Sequence, residues 1–191
     1  MMFNLLKSIL IIISLICSNV FGQTINRYGT TAANFLEIGV GSRATSMGDA
    51  YVAVANDVSS IYWNPAGLSN VSNSSALFMV QPWLVDIDML FAGGAVVVPN
   101  VGVLGLGITH LDYGEMDVTN LEYQDGTGER FGASDMAATF TFSRKIVSWF
   151  SFGSSMKYIS SNIWHSSASA FAVDLGVLVN TKFFSFTGND K

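Results

Sequence analysis

Charged side chains are scarce in this sequence. Only 12% of its 191 residues are Asp, Glu, Lys or Arg, whereas an average soluble domain carries roughly 25%. A soluble protein of this length needs charged surface to stay dispersed in water. The composition therefore favours a protein whose outer surface meets a medium less polar than water.

Basic residues are outnumbered by acidic ones. The chain has 9 Lys and Arg against 14 Asp and Glu, which gives a net charge of −5. This balance argues against a nucleic-acid partner, which would require a basic surface.

Six acidic residues are concentrated in one stretch: Asp112, Glu115, Asp117, Glu122, Asp125 and Glu129. The stretch is typical of a solvated loop; the alternative, a bound cation, lacks the spacing of calcium loops.

The single cysteine, Cys17, lies in an N-terminal segment that has the features of an export signal. Lys7 precedes a short apolar run, residues 8–16, and Gly22 is a small residue at a suitable cleavage point. We therefore expect residues 1–22 to be a signal peptide cleaved after Gly22. One alternative is a membrane-anchoring helix, but the apolar run is shorter than the ~20 residues that a span needs. The other is lipidation at Cys17, but Ile16 stands before it where a small residue is expected. Cleavage after Gly22 would remove the cysteine and exclude disulfide or thiol chemistry.

Long apolar runs are also missing after Gly22. The longest, residues 89–98, is about half the length of a transmembrane helix. A membrane accepts only helices or closed barrels, because each backbone amide needs a partner within the protein. A chain too apolar for water but without helical spans is therefore expected to form a β-barrel.

Large apolar residues alternate with small residues in several segments. The alternation is clear in residues 104–108, 136–142, 150–158 and 171–179, and a period of two is typical of β-strands. The intervening positions are mostly Gly, Ala, Ser and Thr rather than long polar side chains. This pattern favours a barrel whose large residues face lipid and whose small residues face a filled lumen; the core of a β-sandwich is the alternative.

Six antiparallel strands are predicted, at residues 75–84, 88–98, 101–111, 132–142, 149–161 and 168–180. The connections at residues 99–100 and 143–148 are short, whereas residues 112–130 form a long acidic loop. Outer-membrane barrels have short periplasmic turns and long external loops, so the acidic loop is expected outside the cell.

Of the four tryptophans, Trp149 and Trp164 fall where interfacial aromatic anchors are expected. Six strands are fewer than the ~8 of a closed barrel, so we expect the N-terminal part of a longer barrel, or closure by association.

Residues 36–70, which we call the hatch segment, do not follow the strand pattern. Asp57 is suited to cap a short helix that begins at Val58 and ends near Asn64-Pro65. The Asn64-Pro65 pair forms either a turn that seals the lumen or an ordinary helix stop. Asp49, Asp57 and Arg43 could pair with lumen residues such as Lys157 or Asp174, or else cap helices and bind water.

The hatch segment carries two motifs that resemble a known family. They are Gly-Ser-Arg-Ala-Thr-Ser-Met-Gly-Asp-Ala at residues 41–50 and Asp-Val-Ser-Ser-Ile-Tyr-Trp-Asn-Pro-Ala-Gly-Leu at residues 57–68. Together they resemble the N-terminal signature of PorV/PorQ-like outer-membrane proteins, relatives of the FadL fatty-acid transporters. The resemblance implies an all-β, FadL-like transmembrane barrel with a helical N-terminal hatch. It also implies hatch roles, structural or gating, for six residues: Gly48, Asp49, Asp57, Trp63, Asn64 and Pro65.

The expected organisation has three parts: a signal peptide (1–22), a linker and hatch (23–72), and the N-terminal strands of an outer-membrane barrel (73–191). The resemblance implies two functions, an escort in type IX-like protein secretion that contacts cargo or secretion machinery, or a channel for hydrophobic small molecules. An inactive fragment is the third possibility.

His110 and His165 have no metal-ligand spacing, and neither a nucleophile elbow nor a phosphate loop is present. We therefore expect no enzymatic activity, no catalytic residue, no cofactor and no metal.

Overall fold

The computed structural model describes residues 33–83 and 87–180. The predicted signal peptide, residues 1–22, lies outside the described residues, and so do residues 23–32 of the predicted linker and the predicted end of the first strand at residue 84. The fold is described below for the remaining residues.

Six antiparallel strands form one sheet in which every strand pairs with its neighbours in sequence. Their bounds are β1 Ser75–Pro82, β2 Asp88–Val98, β3 Gly102–Asp117, β4 Arg130–Val147, β5 Phe150–Ile163 and β6 Ser166–Val179. All six predicted strands are confirmed, and so is the all-β class. Among the described residues β1 and β6 pair with no further strand, so the sheet is open and has two edges.

Three predicted connections are shorter in the structure than the sequence suggested, and the one between β4 and β5 is reduced to residues 148–149. Strands β3 and β4 extend into the acidic stretch, so the loop between them covers residues 118–129. The extension is held by Arg130, which donates to Glu115 at 2.9 Å and to Asp117 at 3.1 Å across the two strands. Between β5 and β6 only Trp164 and His165 remain as a turn, with Trp164 in the left-handed region at φ 51°. Cross-strand ion pairs and a tight turn do not alter the alternation of apolar residues, so the sequence pattern did not predict these strand ends.

The predicted alternation separates the two faces of the sheet. One face, which we call the covered face, carries small buried residues such as Ala137, Thr141 and Ser155. The opposite face, which we call the open face, exposes large apolar side chains: Phe78, Leu106, Phe140, Met156, Phe171, Val173 and Leu175. The hatch segment packs on the covered face. The open face has no protein cover among the described residues.

Among residues 33–83 and 87–180, helical structure is short and confined to residues 34–70. It consists of two four-residue helices, α1 Ser42–Thr45 and α2 Ser60–Trp63, and two 3-10 turns, Asn34–Glu37 and Pro65–Asn70. Within residues 33–83 and 87–180 no helix is long and apolar enough to cross a membrane.

Candidate functional site: the hatch segment and the two faces of the sheet

The 3-10 turn Pro65–Asn70 rests directly on glycines of the covered face. At Gly153 of β5, a Cβ atom would overlap the Pro65 carbonyl carbon and the Ala66 nitrogen. At Gly176 of β6 it would overlap the Asn64 side chain. Backbone atoms cannot yield as the end of a flexible side chain can. Gly153 therefore requires glycine while the hatch segment is in place, and at Gly176 a side chain would have to displace the Asn64 side chain and the Pro65 ring.

Helix α2 uses a second pair of glycines on β3. A Cβ added at Gly105 would come within 2.8 Å of Leu68 and 3.0 Å of Ile61, and one at Gly107 within 2.9 Å of Ile61. Ile61 and Leu68 are 1% and 0% exposed. They pack in one apolar cluster with residues of the sheet: Met89, Phe91, Ala95, Val103, Leu111, Ala137 and Ile159. Burial of this apolar area is the main force that holds the hatch segment on the sheet.

Asn64 links the hatch segment to itself and to the sheet. Its side-chain oxygen accepts from the Ala66 backbone nitrogen at 3.0 Å and so caps the turn that begins at Pro65. Its side-chain nitrogen donates to the carbonyls of Val52 at 3.0 Å and Val177 of β6 at 3.3 Å. Asn64 is 5% exposed. Asn64 therefore both ends α2 and begins a capped turn that is seated on the sheet.

Serine and threonine residues satisfy polar groups on the covered face. The Ser143 hydroxyl donates to the Ala66 carbonyl at 3.1 Å, which ties the turn to β4. Thr141 and Ser155 share a hydrogen bond of 2.8 Å between their hydroxyls. The small polar residues predicted for a filled lumen thus lie beneath the hatch segment, where they accommodate its backbone.

Tyr62 and Trp63 hold residues 36–40, the end of the first 3-10 turn and the segment after it, in place. The Tyr62 hydroxyl lies 2.6 Å from the Leu36 carbonyl oxygen and 2.8 Å from that of Ile38, and the Trp63 indole N–H donates to the Val40 carbonyl at 3.0 Å. The two rings meet edge to face, with centroids 5.4 Å apart. Trp63 is therefore an internal hatch residue and not an interfacial anchor.

Burial raises the pKa of Tyr62 above its ordinary value of 10.0, and the nearby carboxylates Asp49 and Glu37 raise it further. The folded state thus favours the neutral hydroxyl. Its contribution to stability is complete below pH 10 and is lost as the pH rises towards the folded-state pKa.

We predict that the hatch segment loosens above a pH of about 10 and that Tyr62→Phe weakens this alkaline transition. At neutral pH the variant should cost about 1–2 kcal/mol, because the Leu36 and Ile38 carbonyls lose their donor. Limited proteolysis of the hatch segment across a pH series measures both effects. An alkaline transition of unchanged size in Tyr62→Phe would assign it to another group.

The remaining predicted hatch residues shape turns. Gly48 and Asp49 both adopt left-handed backbone conformations, with φ 63° and 64°, where the chain leaves α1. The Asp49 carboxylate lies against Gly39, and a side chain at residue 39 would have to displace it. Asp57 accepts from the Ser59 backbone nitrogen at 2.9 Å and from the Tyr51 hydroxyl at 3.2 Å. The prediction that Asp57 caps α2 at Val58 is wrong, because the helix begins at Ser60, Ser59 precedes it and no side chain caps it; Asp57 instead holds the turn that leads into the helix.

One predicted set of ion pairs is not formed. Lys157 and Asp174 pair with each other, Nζ to Oδ2 at 2.7 Å, on neighbouring strands. Arg43 instead donates to Asn56 at 3.1 Å and lies over the Tyr51 ring. The hatch charges are satisfied locally because the adjacent strands already neutralise the charged pair on the sheet.

Sequence analysis missed several residues of this site, namely Tyr62, Ser143, Gly153 and Gly176. Gly153 and Gly176 could have been noticed in the sequence. Each stands at a covered-face position of its strand where most other positions hold Ser, Ala or Thr, and a glycine there indicates that another part of the backbone comes close. Nothing in the sequence indicated which part of the hatch segment would lie against them.

The strand register places the exposed residues of neighbouring strands side by side, so that they form a continuous apolar belt on the open face. One row across the sheet is Phe78, Ala92, Ile108, Ala138, Tyr158 and Phe171, and the next is Ala76, Gly94, Leu106, Phe140, Met156 and Val173. Polar residues bound the belt at the end of the sheet that carries loop 118–129: Asp88, Asp112, Ser134, Asn162 and Ser167. Arg144 and Lys145 lie at the opposite end, near the turn at residues 148–149.

Tryptophans stand at both ends of the belt. Trp149 lies in the turn between β4 and β5, and Trp164 in the turn between β5 and β6; each is 56% exposed. Trp83 is 46% exposed beyond the end of β1. Exposed tryptophans therefore lie at both ends of the apolar belt.

The arrangement joins a tightly seated hatch to a sheet with one apolar surface. Within residues 33–83 and 87–180, no group of three or more His, Cys, Asp or Glu side chains is arranged to hold a metal ion. No family model matches the chain, and no curated protein matches it either.

Proposed function

We propose that this chain forms the N-terminal strands of an outer-membrane β-barrel of the PorV/PorQ type, with lipid against the open face and the hatch segment in the lumen. The observation that carries the proposal is the apolar belt with polar residues at both of its ends. Monomeric soluble proteins rarely expose a continuous apolar surface of this extent. The hydrocarbon core of a bilayer would stabilise such a surface, because it removes the apolar side chains from water.

The height of the belt is close to that of a bilayer core. Outward apolar residues on β6 run from Phe171 to Val179. At ~3.3 Å per residue these positions span roughly 26 Å along the strand, or about 20 Å along the barrel axis at a tilt near 40°. Bacterial barrels carry an apolar band of about 25 Å. In lipid both edges of the sheet would need partner strands, because unpaired backbone groups are costly there.

The seating of the hatch segment supports an escort role in secretion. Contacts at Gly153, Gly176 and Ser143 fix the turn Pro65–Asn70 to three strands, which favours a closed lumen. A protein with a closed lumen would work through contacts at its surface with cargo or with secretion-machinery proteins. The loop at residues 118–129 offers an exposed acidic surface for them.

A channel for hydrophobic small molecules is the second candidate. It is favoured by the apolar side chains on the covered face of β2 and β3, Met89, Phe91 and Leu111, which form a patch inside the sheet. A hydrophobic ligand would need this patch to be uncovered by movement of residues 33–40.

Deletion and complementation in the native host separate the two candidates. We expect deletion to reduce the secreted proteins at the cell surface and to leave uptake of a fluorescent long-chain fatty acid unchanged. Complementation with the wild-type chain should restore secretion. Loss of uptake with normal secretion would favour the channel, and loss of neither would refute both roles.

The proposed orientation predicts which cysteine variants an impermeant thiol reagent can reach in whole cells. Thr119→Cys, in the acidic loop, should be labelled, whereas Asn100→Cys, in the turn between β2 and β3, should not. Removal of Cys17 with the signal peptide would leave a background without thiols. Both variants should be labelled after the cells are lysed. Labelling of Asn100→Cys alone in intact cells would reverse the orientation.

A further inference from the structure

A depression of about 390 Å³ lies on the covered face, at the end of the sheet opposite the acidic loop. Three parts of the chain line it: residues 69–72, where the chain leaves the hatch segment, residues 97–103 around the turn between β2 and β3, and residues 143–145 of β4. Ligand sites in proteins occupy roughly 300–1,000 Å³. The depression therefore has room for a small organic molecule.

The depression is basic although the chain as a whole is acidic. Its lining includes Arg144 and Lys145 and, of the residues that the structure describes, no Asp or Glu. The alternation along β4 places Lys145 on the covered face with Ser143, and the Arg144 side chain on the open face. Within residues 33–83 and 87–180 Lys145 takes part in no ion pair. Its positive charge is therefore available to an anionic group of a ligand.

A buried hydroxyl without a partner lies beside Lys145. Ser151 stands directly opposite Lys145 in the ladder between β4 and β5, on the same face, and is 1% exposed. Its Oγ forms no hydrogen bond with any described residue, whereas the Ser143 hydroxyl donates to the Ala66 and Phe152 carbonyls. A buried hydroxyl that lacks a partner is costly, and an acceptor bound next to Lys145 would remove that cost.

Apolar side chains form the floor of the depression. Val97 of β2 and Val103 of β3 are partners in the ladder, and Val71 joins them from the chain that follows the hatch segment. Apolar surface next to a cation favours an organic anion over phosphate or sulfate, because only an organic anion has hydrocarbon to remove from water.

We propose that this depression binds a carboxylate attached to a short aliphatic group. The carboxylate accepts from Lys145 and Ser151, and the aliphatic group lies on Val97 and Val103. Two kinds of ligand carry this chemistry, the C-terminal residue of a peptide with an apolar side chain and a short fatty acid. The inference goes beyond the proposed function, because it requires a seated hatch segment but no lipid at the open face. In the proposed orientation the depression lies at the periplasmic end of the sheet.

Calorimetric titration of the folded chain in a non-ionic detergent tests the site with N-acetyl-valine, N-acetyl-valinamide, valerate and inorganic phosphate. We expect N-acetyl-valine to bind about tenfold more tightly than its neutral amide, and phosphate to bind more weakly than either carboxylate. Tighter binding of N-acetyl-valine than of valerate assigns the site to peptide C-termini, and the reverse assigns it to fatty acids. Equal binding of N-acetyl-valine and its amide would overturn the inference.

Variants of the two proposed donors test the position of the carboxylate. Lys145→Gln should weaken binding of N-acetyl-valine by about tenfold, whereas Arg130→Gln, the same loss of charge at the acidic end, should not. Ser151→Ala should weaken binding by about threefold and leave the unfolding temperature of the free protein unchanged, because its hydroxyl has no partner to lose. Ser155→Ala is the control with the opposite result, since it breaks a hydrogen bond to Thr141 far from Lys145 in the ladder. Unchanged affinity in Lys145→Gln or in Ser151→Ala would contradict the site.

Failure of this inference is distinguishable from failure of the proposed function. Resistance of residues 41–70 to limited proteolysis shows before each titration that the hatch segment is seated. A protein with a seated hatch segment that binds none of the four compounds refutes the site and leaves the membrane location unaffected.

Discussion

Gly153→Val is expected to expel the hatch segment from the covered face. The new side chain would overlap the Pro65 carbonyl carbon and the Ala66 nitrogen. The turn Pro65–Asn70 cannot move aside while Asn64 and Ser143 hold it. We expect the seated state to lose at least about 3 kcal/mol, at the upper end of the usual cost of overpacking.

Limited proteolysis measures this effect, with cleavage within residues 41–70 as the readout. Gly132→Val is the matched control, since it makes the same change on β4 where the nearest atom to the new Cβ is the Gly114 carbonyl oxygen at 3.8 Å. We expect rapid cleavage in Gly153→Val and wild-type resistance in Gly132→Val. Equal resistance in the two variants would show that the turn is not seated on Gly153.

Asn64→Ala is expected to produce the second largest effect. It removes the acceptor for the Ala66 nitrogen and the donor to the Val52 and Val177 carbonyls, all in a buried position. The groups left without partners should weaken the hatch by about 2–4 kcal/mol. Hydrogen exchange of the Ala66 and Gly67 amides reports the change, and Asn73→Ala, at an exposed position, is the control.

Asn64→Asp separates the two roles of this side chain. An aspartate retains the acceptor for the Ala66 nitrogen but presents oxygen to the Val52 and Val177 carbonyls. If capping of the turn were sufficient, this variant would resemble the wild type. We expect it to be at least as unstable as Asn64→Ala, because a buried carboxylate would face two carbonyl oxygens.

Much of the sheet could be predicted because its two faces differ so strongly in side-chain size. The alternation in residues 136–142 and 171–179 assigned both faces correctly, and all six strands were located. The ends of β3 and β4 were missed because polar ladders extend them. There Arg130 pairs across the two strands with Glu115 and Asp117, a polar pattern that no hydrophobic period reveals.

The candidate site was less predictable because it depends on contacts between distant parts of the chain. Asp57 was placed correctly at the entry to α2, a local property of a few residues, but the cap position itself falls at Ser59. The role of Tyr62 depends on carbonyls 24 and 26 positions earlier, and that of Asn64 on a carbonyl 113 positions later. Arg43 donates to Asn56, a partner that neither alternative drawn from the sequence had named.

Lipid contact of the open face is the claim on which the proposed function depends, and spin labels measure it most directly. Labels are placed singly at Leu106, Phe140 and Val173 in the belt and at Thr119 and Ser167 beyond it, and collisions with oxygen and with a water-soluble nickel complex are compared in vesicles. We predict that oxygen dominates at the three belt positions and nickel at the other two, because oxygen concentrates in hydrocarbon. Nickel dominance at the belt positions would place the open face in water and contradict the proposal.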